Sequence, residues 1–354
     1  MSLRVVLKTP DGDTVLRDVV DGIWVSPTGD GESTIGEGLW ALPGLTDAHA
    51  HLAAAQLDFA PGDFSGAVQR ARDSLEAGVT LILDKGWSDD TTVRLIEEIP
   101  AEERPDIEAA EQVIAGVDGY VAGFGYEVGE ADFEEAVRNQ ARAGAGWVKL
   151  IGDWPRRGVG PVSPFDAAQL RAAVEIAEDE GSRVAIHTMA REVPSAAVAA
   201  GVHSIEHGLF LEEDDLDLLG SRAGMWVPTL LRCEATIHQL GESSTGGRLL
   251  TEGLERMRRL LPLAVEAGVL VLPGTDLIGS PADVAAEAMK LSEYGLSNQQ
   301  VVDAVSKSGF VGTGRSADFA VGSPANAVFF DDNPMESLAV LDHPRHVLRM
   351  GRVI

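Results

Sequence analysis

Two histidines, His49 and His51, stand one residue apart at the end of the apolar run WALPGLTDAHAHL, residues 40 to 52. Successive side chains of a β-strand point to opposite faces, so residues two apart point the same way. Imidazole nitrogens are ligands that zinc and similar divalent cations prefer. If this run ends as a strand, both rings converge on a space in which a cation could bind.

Four more polar residues occupy comparable places in short apolar segments. His187 ends RVAIHT, His207 ends SIEHG, Asp276 ends VLVLPGTD, and Lys149 lies within WVKLIG. Each has an ordinary structural explanation, since a strand histidine is often a hydrogen-bonded core residue, a lysine can extend its amine to solvent and an aspartate can cap a helix. Together they supply the nitrogen and oxygen donors of a divalent metal site.

The elements that must position these residues alternate between strand and helix. Eight strands are predicted, at residues 40–52, 80–85, 107–115, 147–152, 183–188, 204–208, 225–230 and 269–276. The segments between them have helical periodicity, and several open at Ser or Asp and close at Gly. This pattern predicts an α/β fold, a (β/α)8 TIM barrel with its site at the C-terminal ends of the strands. A doubly wound open sheet would give similar local signals.

Both ends of the chain differ from this central region. Residues 1–45 and 315–354 contain short β-branched runs separated by turn sequences such as PDGD and SPTGDGES. Neither end could bury a sheet face alone. We therefore expect the two ends to form one small β-sandwich domain beside a barrel of residues 46–314.

Composition excludes several classes of partner. The formal net charge is −28, from 56 acidic and 28 basic residues, which argues against a nucleic acid or an anionic membrane surface. The single cysteine, Cys233, cannot form an internal disulfide, as is typical of a reducing compartment. There is no secretory signal pattern and no apolar run of membrane-spanning length. We expect a cytoplasmic protein whose partner is a small molecule.

Residues near the predicted site are candidates for substrate contacts. Arg156 and Arg157, in GDWPRRGVGPVSPF after the fourth strand, could bind a substrate carboxylate through two hydrogen bonds, or could be solvated surface residues. An apolar wall beside them could be formed by Trp154 with Tyr120 or Tyr126. His238, after the seventh strand, could also reach the pocket.

Several motifs resemble the amidohydrolase superfamily, within it the prolidase-like and imidazolonepropionase-like branch. They are PGLTDAHAHL, SLEAGVTLILDKG, WVKLIGD, AVEAGVLVLPGTD and the long segment from VAIHTMAREVP through AGVHSIEHG to MWVPTL. The resemblance extends through nearly the whole chain, and AGVHSIEHG, with a histidine twenty residues upstream, is fairly specific to that branch. The loop AGVDGYVAGFGYEVGE departs from the family pattern, because it lacks a histidine that relatives often carry there.

The resemblance implies a binuclear centre of two Zn²⁺ or other divalent ions. By the family pattern, His49, His51 and Asp276 would hold one ion, and His187 and His207 the other. Lys149 would be carboxylated by carbon dioxide and would bridge both ions. The implied function is metal-dependent hydrolysis in which a metal-bridging hydroxide attacks an amide bond and Asp276 moves the proton.

The residues leave other functions open. The same barrel could hydrolyse an ester, a lactone, an organophosphate or a cyclic amide, or could be a mononuclear deaminase, although a single ion would not need a bridging lysine. A non-catalytic binding module would be marked by a missing ligand, and all six expected ligands are present. We expect cleavage of a C–N bond in a small polar substrate such as a dipeptide or an N-acyl amino acid.

Overall fold

The structure is a computed structural model that describes residues 3–29, 33–54, 59–156 and 160–354. Strands from both ends of the chain pair into one mixed sheet, in which Trp40–Leu42 is parallel to the first strand and antiparallel to Ala327–Phe330. Its strands are β1 Leu3–Lys8, β2 Thr14–Val20, β3 Ile23–Val25, β4 Ser33–Ile35 and β5 Trp40–Leu42, with β18 Ala327–Phe330, β19 His346–Arg349 and β20 Arg352–Val353 from the C-terminal end.

This sheet curls around an apolar core of its own. Val5, Leu7, Trp24 and Phe329 are fully buried there, and the edge of the Phe319 ring packs against Trp24. The core draws its residues from both chain ends, so neither end could bury it alone. The two termini therefore come together as the alternation of turns and short strands predicts.

Residues between these ends form an α/β fold of the TIM-barrel type with parallel strands. In chain order the strands are β6 Leu45–Ala50, β7 Val79–Asp84, β8 Asp106–Ala109, β9 Val113–Gly116, β10 Tyr126–Val128, β11 Trp147–Ile151, β12 Trp154–Arg156, β13 Gly160–Val162, β14 Arg183–Thr188, β15 Ser204–His207, β16 Met225–Val227 and β17 Leu270–Val271. The short hairpin of β12 and β13 is antiparallel and follows β11.

Backbone hydrogen bonds join the last part of the barrel to the first. After β17 the chain continues extended, and the Ala48 amide donates to the Pro273 carbonyl at 2.9 Å. Three residues after Pro273, the Asp276 amide donates to the His49 carbonyl at 2.8 Å. These bonds close the ring of strands at the C-terminal end of β6, where His49 and His51 lie.

The third predicted strand, residues 107–115, is wrong as a single element. The chain forms β8 and β9 with a break at residues 110–112, and β8 pairs with β7 while β9 pairs with β11. Within the break the Gln112 amide donates to the Gln140 side chain at 2.8 Å, and Trp87 forms a bridge with Gln112. The Gln140 side chain, distant in sequence, thus accepts a hydrogen bond that a strand carbonyl would otherwise accept.

Helices cover the outside of the strands. They are α1 Phe64–Glu76, α2 Thr91–Glu98, α3 Phe133–Ala143, α4 Ala167–Asp179, α5 Val193–Ala200, α6 Glu213–Gly220, α7 Leu230–Leu240, α8 Thr245–Glu266, α9 Val284–Glu293, α10 Asn298–Val302 and α11 Gly309–Gly312. Among the described residues, no helix combines the length and apolar character needed to cross a bilayer.

Strand alternation divides the side chains between two cores. Val148 and Leu150 of β11 face the helices, whereas Trp147 belongs to a cluster in the barrel interior with Ala185, Leu81 and Val227. Lys149 shares the parity of Trp147, so its side chain follows the interior face toward the C-terminal end. The apolar interior below is therefore what isolates Lys149 from water.

A buried carboxylate fixes the start of α7. Glu287 of α9 is fully buried, and its two oxygens accept from the Leu230 and Leu231 amides at 2.5 and 3.0 Å. These amides belong to the first turn of α7, whose N–H groups have no partner within the helix. Burial raises the pKa of Glu287 to about 8 despite these hydrogen bonds.

Arg349 of β19 connects the small sheet to the barrel. Its side chain is 1% exposed, and it donates to the Ala101 carbonyl at 2.9 Å and to the Asp106 carboxylate at 2.8 Å. Asp106 begins β8, so this arginine ties the terminal sheet to a barrel strand. Removal of the guanidinium would leave these acceptors without their partner.

We expect Arg349→Met to lower the free energy of unfolding by about 1–3 kcal/mol, because the hydrogen bonds of a buried guanidinium to the Ala101 carbonyl and the Asp106 carboxylate are lost. Urea denaturation measures the change. Arg352→Met is the matched control, since Arg352 is 65% exposed and lies 3.8 Å from Glu102. The control should change stability by less than about 0.5 kcal/mol. Equal effects of the two substitutions would contradict this role of Arg349.

Glu287 should make the protein less stable as the pH rises. Its pKa in the folded protein, about 8, exceeds the ordinary value of 4.5, so its contribution is complete at low pH and is lost as the pH rises between these values. Relative to Glu287→Gln, which does not titrate, the free energy of unfolding of the wild type should fall by up to about 1.4 kcal/mol for each unit that the pH rises.

Urea unfolding of both proteins at pH 5, 6.5 and 8 measures this difference. Glu293→Gln, on the exposed end of the same helix, serves as the control and should follow the wild type across the series. A stability difference between wild type and Glu287→Gln that stays constant from pH 5 to 8 would show that Glu287 is ionised throughout.

Candidate metal centre

His49, His51 and Asp276 bring their donor atoms together at the C-terminal end of the barrel. One ligand atom from each lies within 4.8 Å of the others. Asp276 Oδ1 is 3.6 Å from His49 Nε2 and 3.5 Å from His51 Nε2. A strand irregularity between Asp47 and Ala50 changes the register of β6 against β7, so that both rings reach the same space. Three donors from positions up to 227 residues apart in the sequence thus converge.

Asp47 holds this arrangement from behind. Its carboxylate accepts from the Thr275 hydroxyl at 2.7 Å, from the Thr275 amide at 3.1 Å and from the His49 amide at 3.1 Å. Full burial raises the pKa of Asp47 to about 6, although these hydrogen bonds oppose the rise. One side chain therefore fixes the backbone on both sides of the ligand group.

Asp276 stays ionised in this buried place. Desolvation by itself raises the pKa of its carboxyl, but the nearby His49, His51, His207 and Arg232 outweigh desolvation and hold the pKa well below its usual range. The backbone of Asp276 has φ of +41°, a left-handed conformation that a non-glycine residue adopts at a cost of about 1–3 kcal/mol. The carboxylate can thus act as an anionic ligand and as a proton acceptor.

His187 and His207 form a second pair of donors. Nδ1 of His187 lies 2.9 Å from Nε2 of His207, and the other nitrogen of His207 lies 2.6 Å from the Thr229 hydroxyl. Burial lowers the pKa of His207 to about 4 and that of His187 well below 6.5. Both rings are therefore neutral at pH 7, which is the form that binds a metal.

Lys149 lies in the same pocket with its amine unpaired. The residue is 2% exposed, and Nζ has no hydrogen-bond partner among the described residues. Burial lowers the pKa of this amine to about 8. An amine in these surroundings loses its proton far more readily than a surface lysine does.

Glu206 and Lys85 lie beneath the donors. Oε2 of Glu206 is 2.6 Å from Nδ1 of His49, and Oε1 is 3.4 Å from the Lys85 ammonium, with both residues fully buried. A carboxylate beside the distal nitrogen of a metal-binding histidine fixes its ring orientation and increases its basicity. Lys85 supplies the balancing charge, so the carboxylate is not buried alone.

The donor set fits divalent cations. Nζ of Lys149 and Nε2 of His187 are buried without a hydrogen-bond partner among the described residues, and His187 and His207 direct nitrogens toward each other. Buried polar atoms are rarely left unpaired in folded proteins. Neutral imidazoles with a carboxylate are also the ligands that zinc takes in catalytic sites.

A cavity of about 280 Å³ leads to these residues, and its wall is mostly apolar. Tyr120 and Trp154, predicted as substrate contacts, both line it, and their rings pack edge to face at 4.6 Å. Trp154 also lies 5.6 Å from the His187 ring. The loop after β9, which carries Tyr120, thus supplies an aromatic wall where the family pattern often has a histidine.

Two of the other predicted substrate contacts, Tyr126 and His238, lie away from this cavity. Tyr126 is 41% exposed in β10, and His238 is exposed on α7; neither lines the cavity. The backbone of Arg156 ends β12, but its side chain is not described, and Arg157 lies outside the described residues. The suggestion that Arg156 or Arg157 binds a carboxylate therefore stays a prediction.

Arg232 and Asp153 also line the cavity, a position that was not predicted from the sequence. Arg232 is 7% exposed on the first turn of α7, and Asp153 is fully buried after β11. Asp153 stands two residues past the end of β11, a position that could have drawn attention to it. Arg232, in LLRCEAT, has no comparable signal, because only the fold brings it beside Asp276.

A family model and a curated relative match most of this chain. The model of the amidohydrolase family matches residues 40–354. The uncharacterised protein Rv2915c of Mycobacterium tuberculosis is 31% identical over 98% of this chain and 94% of its own length.

Solved structures share the fold at lower identity. A Xaa-Pro dipeptidase with bound methionine in its active site superposes with a TM-score of 0.83 at 21% identity and covers 100% of both chains. Ochratoxinase of Aspergillus niger superposes with a TM-score of 0.81 at 18% identity, over 99% of this chain and 94% of the other. The chain belongs to the amidohydrolase family, and it is a metal-dependent hydrolase that acts on carbon–nitrogen bonds.

Proposed function

We propose that this protein is a binuclear hydrolase that cleaves an amide bond in a small polar substrate, such as a dipeptide or an N-acyl amino acid. The observation that carries the proposal is the buried, unpaired amine of Lys149 beside four imidazoles and the Asp276 carboxylate. A mononuclear deaminase would use fewer of these donors. A single ion would leave Lys149 without a role.

The residues divide into two ligand groups. His49, His51 and Asp276 would hold one ion, and His187 and His207 the other, with a carboxylated Lys149 shared by both. Zinc is the expected metal, because neutral imidazoles and carboxylates suit it. The ions would supply an acidified water and a positive charge for the substrate carbonyl oxygen.

The surroundings of Lys149 support the proposed carboxylation. Burial favours the neutral amine, whose nitrogen lone pair can form a bond to the carbon of carbon dioxide. One C=O electron pair moves to oxygen, and the nitrogen releases one proton to solvent. The resulting carbamate carries one negative charge over two oxygens, so it can bridge two cations where an ammonium could not.

Asp276 has the position and charge to handle the reaction's proton. Its carboxylate lies within 4 Å of nitrogens of His49, His51 and His207, and the Arg232 side chain donates to its backbone carbonyl at 2.6 Å. It would accept the proton of the attacking water and deliver it to the leaving nitrogen. The hydrogen bonds of the Asp276 backbone to His49 and Arg232 would keep this carboxylate oriented.

Names of similar proteins support a C–N bond as the target. The structural neighbours include a Xaa-Pro dipeptidase, ochratoxinase, molinate hydrolase and phenylurea hydrolase B. The apolar wall with a polar end also suits a small substrate that has apolar groups on both sides of an amide. Metal analysis of purified protein tests the binuclear site, for which about two ions per chain are expected.

Lys149→Ala should lose bound metal and activity together, because the shared ligand is removed. Formate or acetate in the buffer should restore part of both, since a short carboxylate can occupy the place of the carbamate. Metal content by atomic emission and turnover measure the two effects. Lys307→Ala, at a surface lysine that is 56% exposed, is the control. Full metal occupancy and turnover in Lys149→Ala would refute a bridging lysine.

Asp276→Asn should affect turnover more than metal content, because four imidazoles and the bridge remain as ligands. We expect kcat to fall by about 10²-fold or more, as for loss of a general acid–base group. Steady-state kinetics on protein of measured metal content gives the comparison. A kcat within a few-fold of wild type at equal metal content would assign the proton to another residue.

A further inference from the structure

Two buried charges in the cavity wall have polar atoms without partners. Nη2 of Arg232 and Oδ1 of Asp153 are both inaccessible to solvent, and neither makes a hydrogen bond to any described residue. Both residues line the cavity that leads to His49, His51 and Asp276. A buried polar atom without a hydrogen bond is costly, so each of these two atoms calls for a partner that binds there.

The structural roles of these residues account for only part of each side chain. Nε of Arg232 donates to the Asp276 carbonyl at 2.6 Å, which fixes the loop but leaves the far edge of the guanidinium free. Oδ2 of Asp153 accepts from the Met189 and Ala190 amides at 2.9 and 3.0 Å. Oδ1 of Asp153 makes no hydrogen bond to any described residue.

Strand order places the two charges on different sides of the barrel mouth. Asp153 follows β11 and is bound to the loop after β14, and these strands are neighbours. Arg232 follows β16 and donates to the segment after β17. β16 and β17 are also neighbours. β15, which carries His207, lies between the two pairs. A ligand that touches both residues must therefore pass the metal centre.

Arg232 lies on the side where the leaving amine would emerge. Nε is 3.7 Å from Oδ2 of Asp276, the carboxylate that would protonate the leaving nitrogen. In an amino acid the carboxylate carbon is two bonds from the nitrogen, about 2.5 Å away. A guanidinium beside Asp276 thus suits a carboxylate on the leaving group, which it can bind through two hydrogen bonds.

We propose that Arg232 and Asp153 determine specificity by binding the two ends of a zwitterionic dipeptide. Arg232 binds the C-terminal carboxylate, and Asp153 binds the N-terminal ammonium on the acyl side of the scissile bond. Leu240, Leu249 and Leu250 face the C-terminal side chain, while Ile151, Tyr120 and Trp154 face the N-terminal one. The inference rests on the proposed amide hydrolysis and narrows its substrate from N-acyl amino acids to dipeptides.

Four substrates separate the two charges. Leucyl-leucine has both; leucyl-leucinamide lacks the carboxylate; 4-methylpentanoyl-leucine lacks the ammonium; and 4-methylpentanoyl-leucinamide lacks both. Metal-loaded wild type should prefer leucyl-leucine over each singly altered substrate by about tenfold or more in kcat/KM, as expected for a hydrogen bond to a charged group.

Variants assign each preference to one residue. Arg232→Met should lose the preference for the free carboxylate and keep that for the ammonium, and Asp153→Asn should do the reverse. Arg232→Lys should restore part of the carboxylate preference, because the charge returns without the bidentate edge. Turnover of 4-methylpentanoyl-leucinamide and thermal melting report whether the metal centre and the fold are intact.

Arg191→Met is the matched control, since Arg191 is exposed and paired with Glu252 at 2.5 Å outside the cavity. It should behave as wild type on all four substrates. Arg156→Met and Arg157→Met test the alternative from the sequence. If either of these erases the carboxylate preference while Arg232→Met keeps it, the assignment of Arg232 is wrong.

Binding of a leucyl-leucine analogue with a phosphinate in place of the amide distinguishes this inference from the proposed function. Calorimetry on the same variants should show loss of affinity on Arg232→Met and Asp153→Asn. If binding of the analogue depends on both residues but no dipeptide is hydrolysed, the proposed function alone is rejected. If dipeptides are hydrolysed at rates that do not depend on either end group, the inference alone is rejected. If neither residue-dependent binding nor hydrolysis is observed, both the inference and the proposed function are rejected.

Discussion

The hydrogen bonds of Asp47 to Thr275 are the interaction on which the rest of the site depends. They join the first barrel strand to the segment after the last one, 228 residues away, at the level where the ligands lie. The Asp276 amide then donates to the His49 carbonyl at 2.8 Å, so two ligands share one backbone connection. The left-handed backbone at Asp276 persists because these bonds hold it. The hydrogen bonds that close the barrel thus also fix the relative positions of the ligands.

Burial gives these residues their chemistry. The barrel interior below the site is apolar, with Trp147 and Leu81 fully buried, so charged forms are disfavoured throughout the pocket. Burial lowers the pKa of Lys149 to about 8 and that of His207 to about 4, whereas Asp276 keeps its charge through its cationic and polar neighbours. One environment therefore prepares neutral nitrogen donors, a reactive amine and an anionic carboxylate side by side.

The sequence predicts what depends on local periodicity. RVAIHT forms a strand over Arg183–Thr188, the predicted range, because a buried parallel strand is a continuous apolar run. The spacing of His49 and His51 likewise indicates one shared face. The break at residues 110–112 was not predictable, since it depends on the Gln140 side chain from another element. Arg232 and Glu287 were missed for the same reason, because their burial arises only when α7, α9 and the loop of Asp276 pack together.

The acidic exterior bears on what can enter the cavity. A chain with a net charge of −28 repels anions over several ångströms of approach, and salt screens this repulsion only beyond a Debye length of about 8 Å. An N-acyl amino acid carries one negative charge and must overcome that field before it reaches Arg232. A dipeptide zwitterion has no net charge, and its ammonium end is attracted. A surface of this sign therefore favours a ligand with both charges over an anion, and that is the ligand that Arg232 and Asp153 together would accommodate.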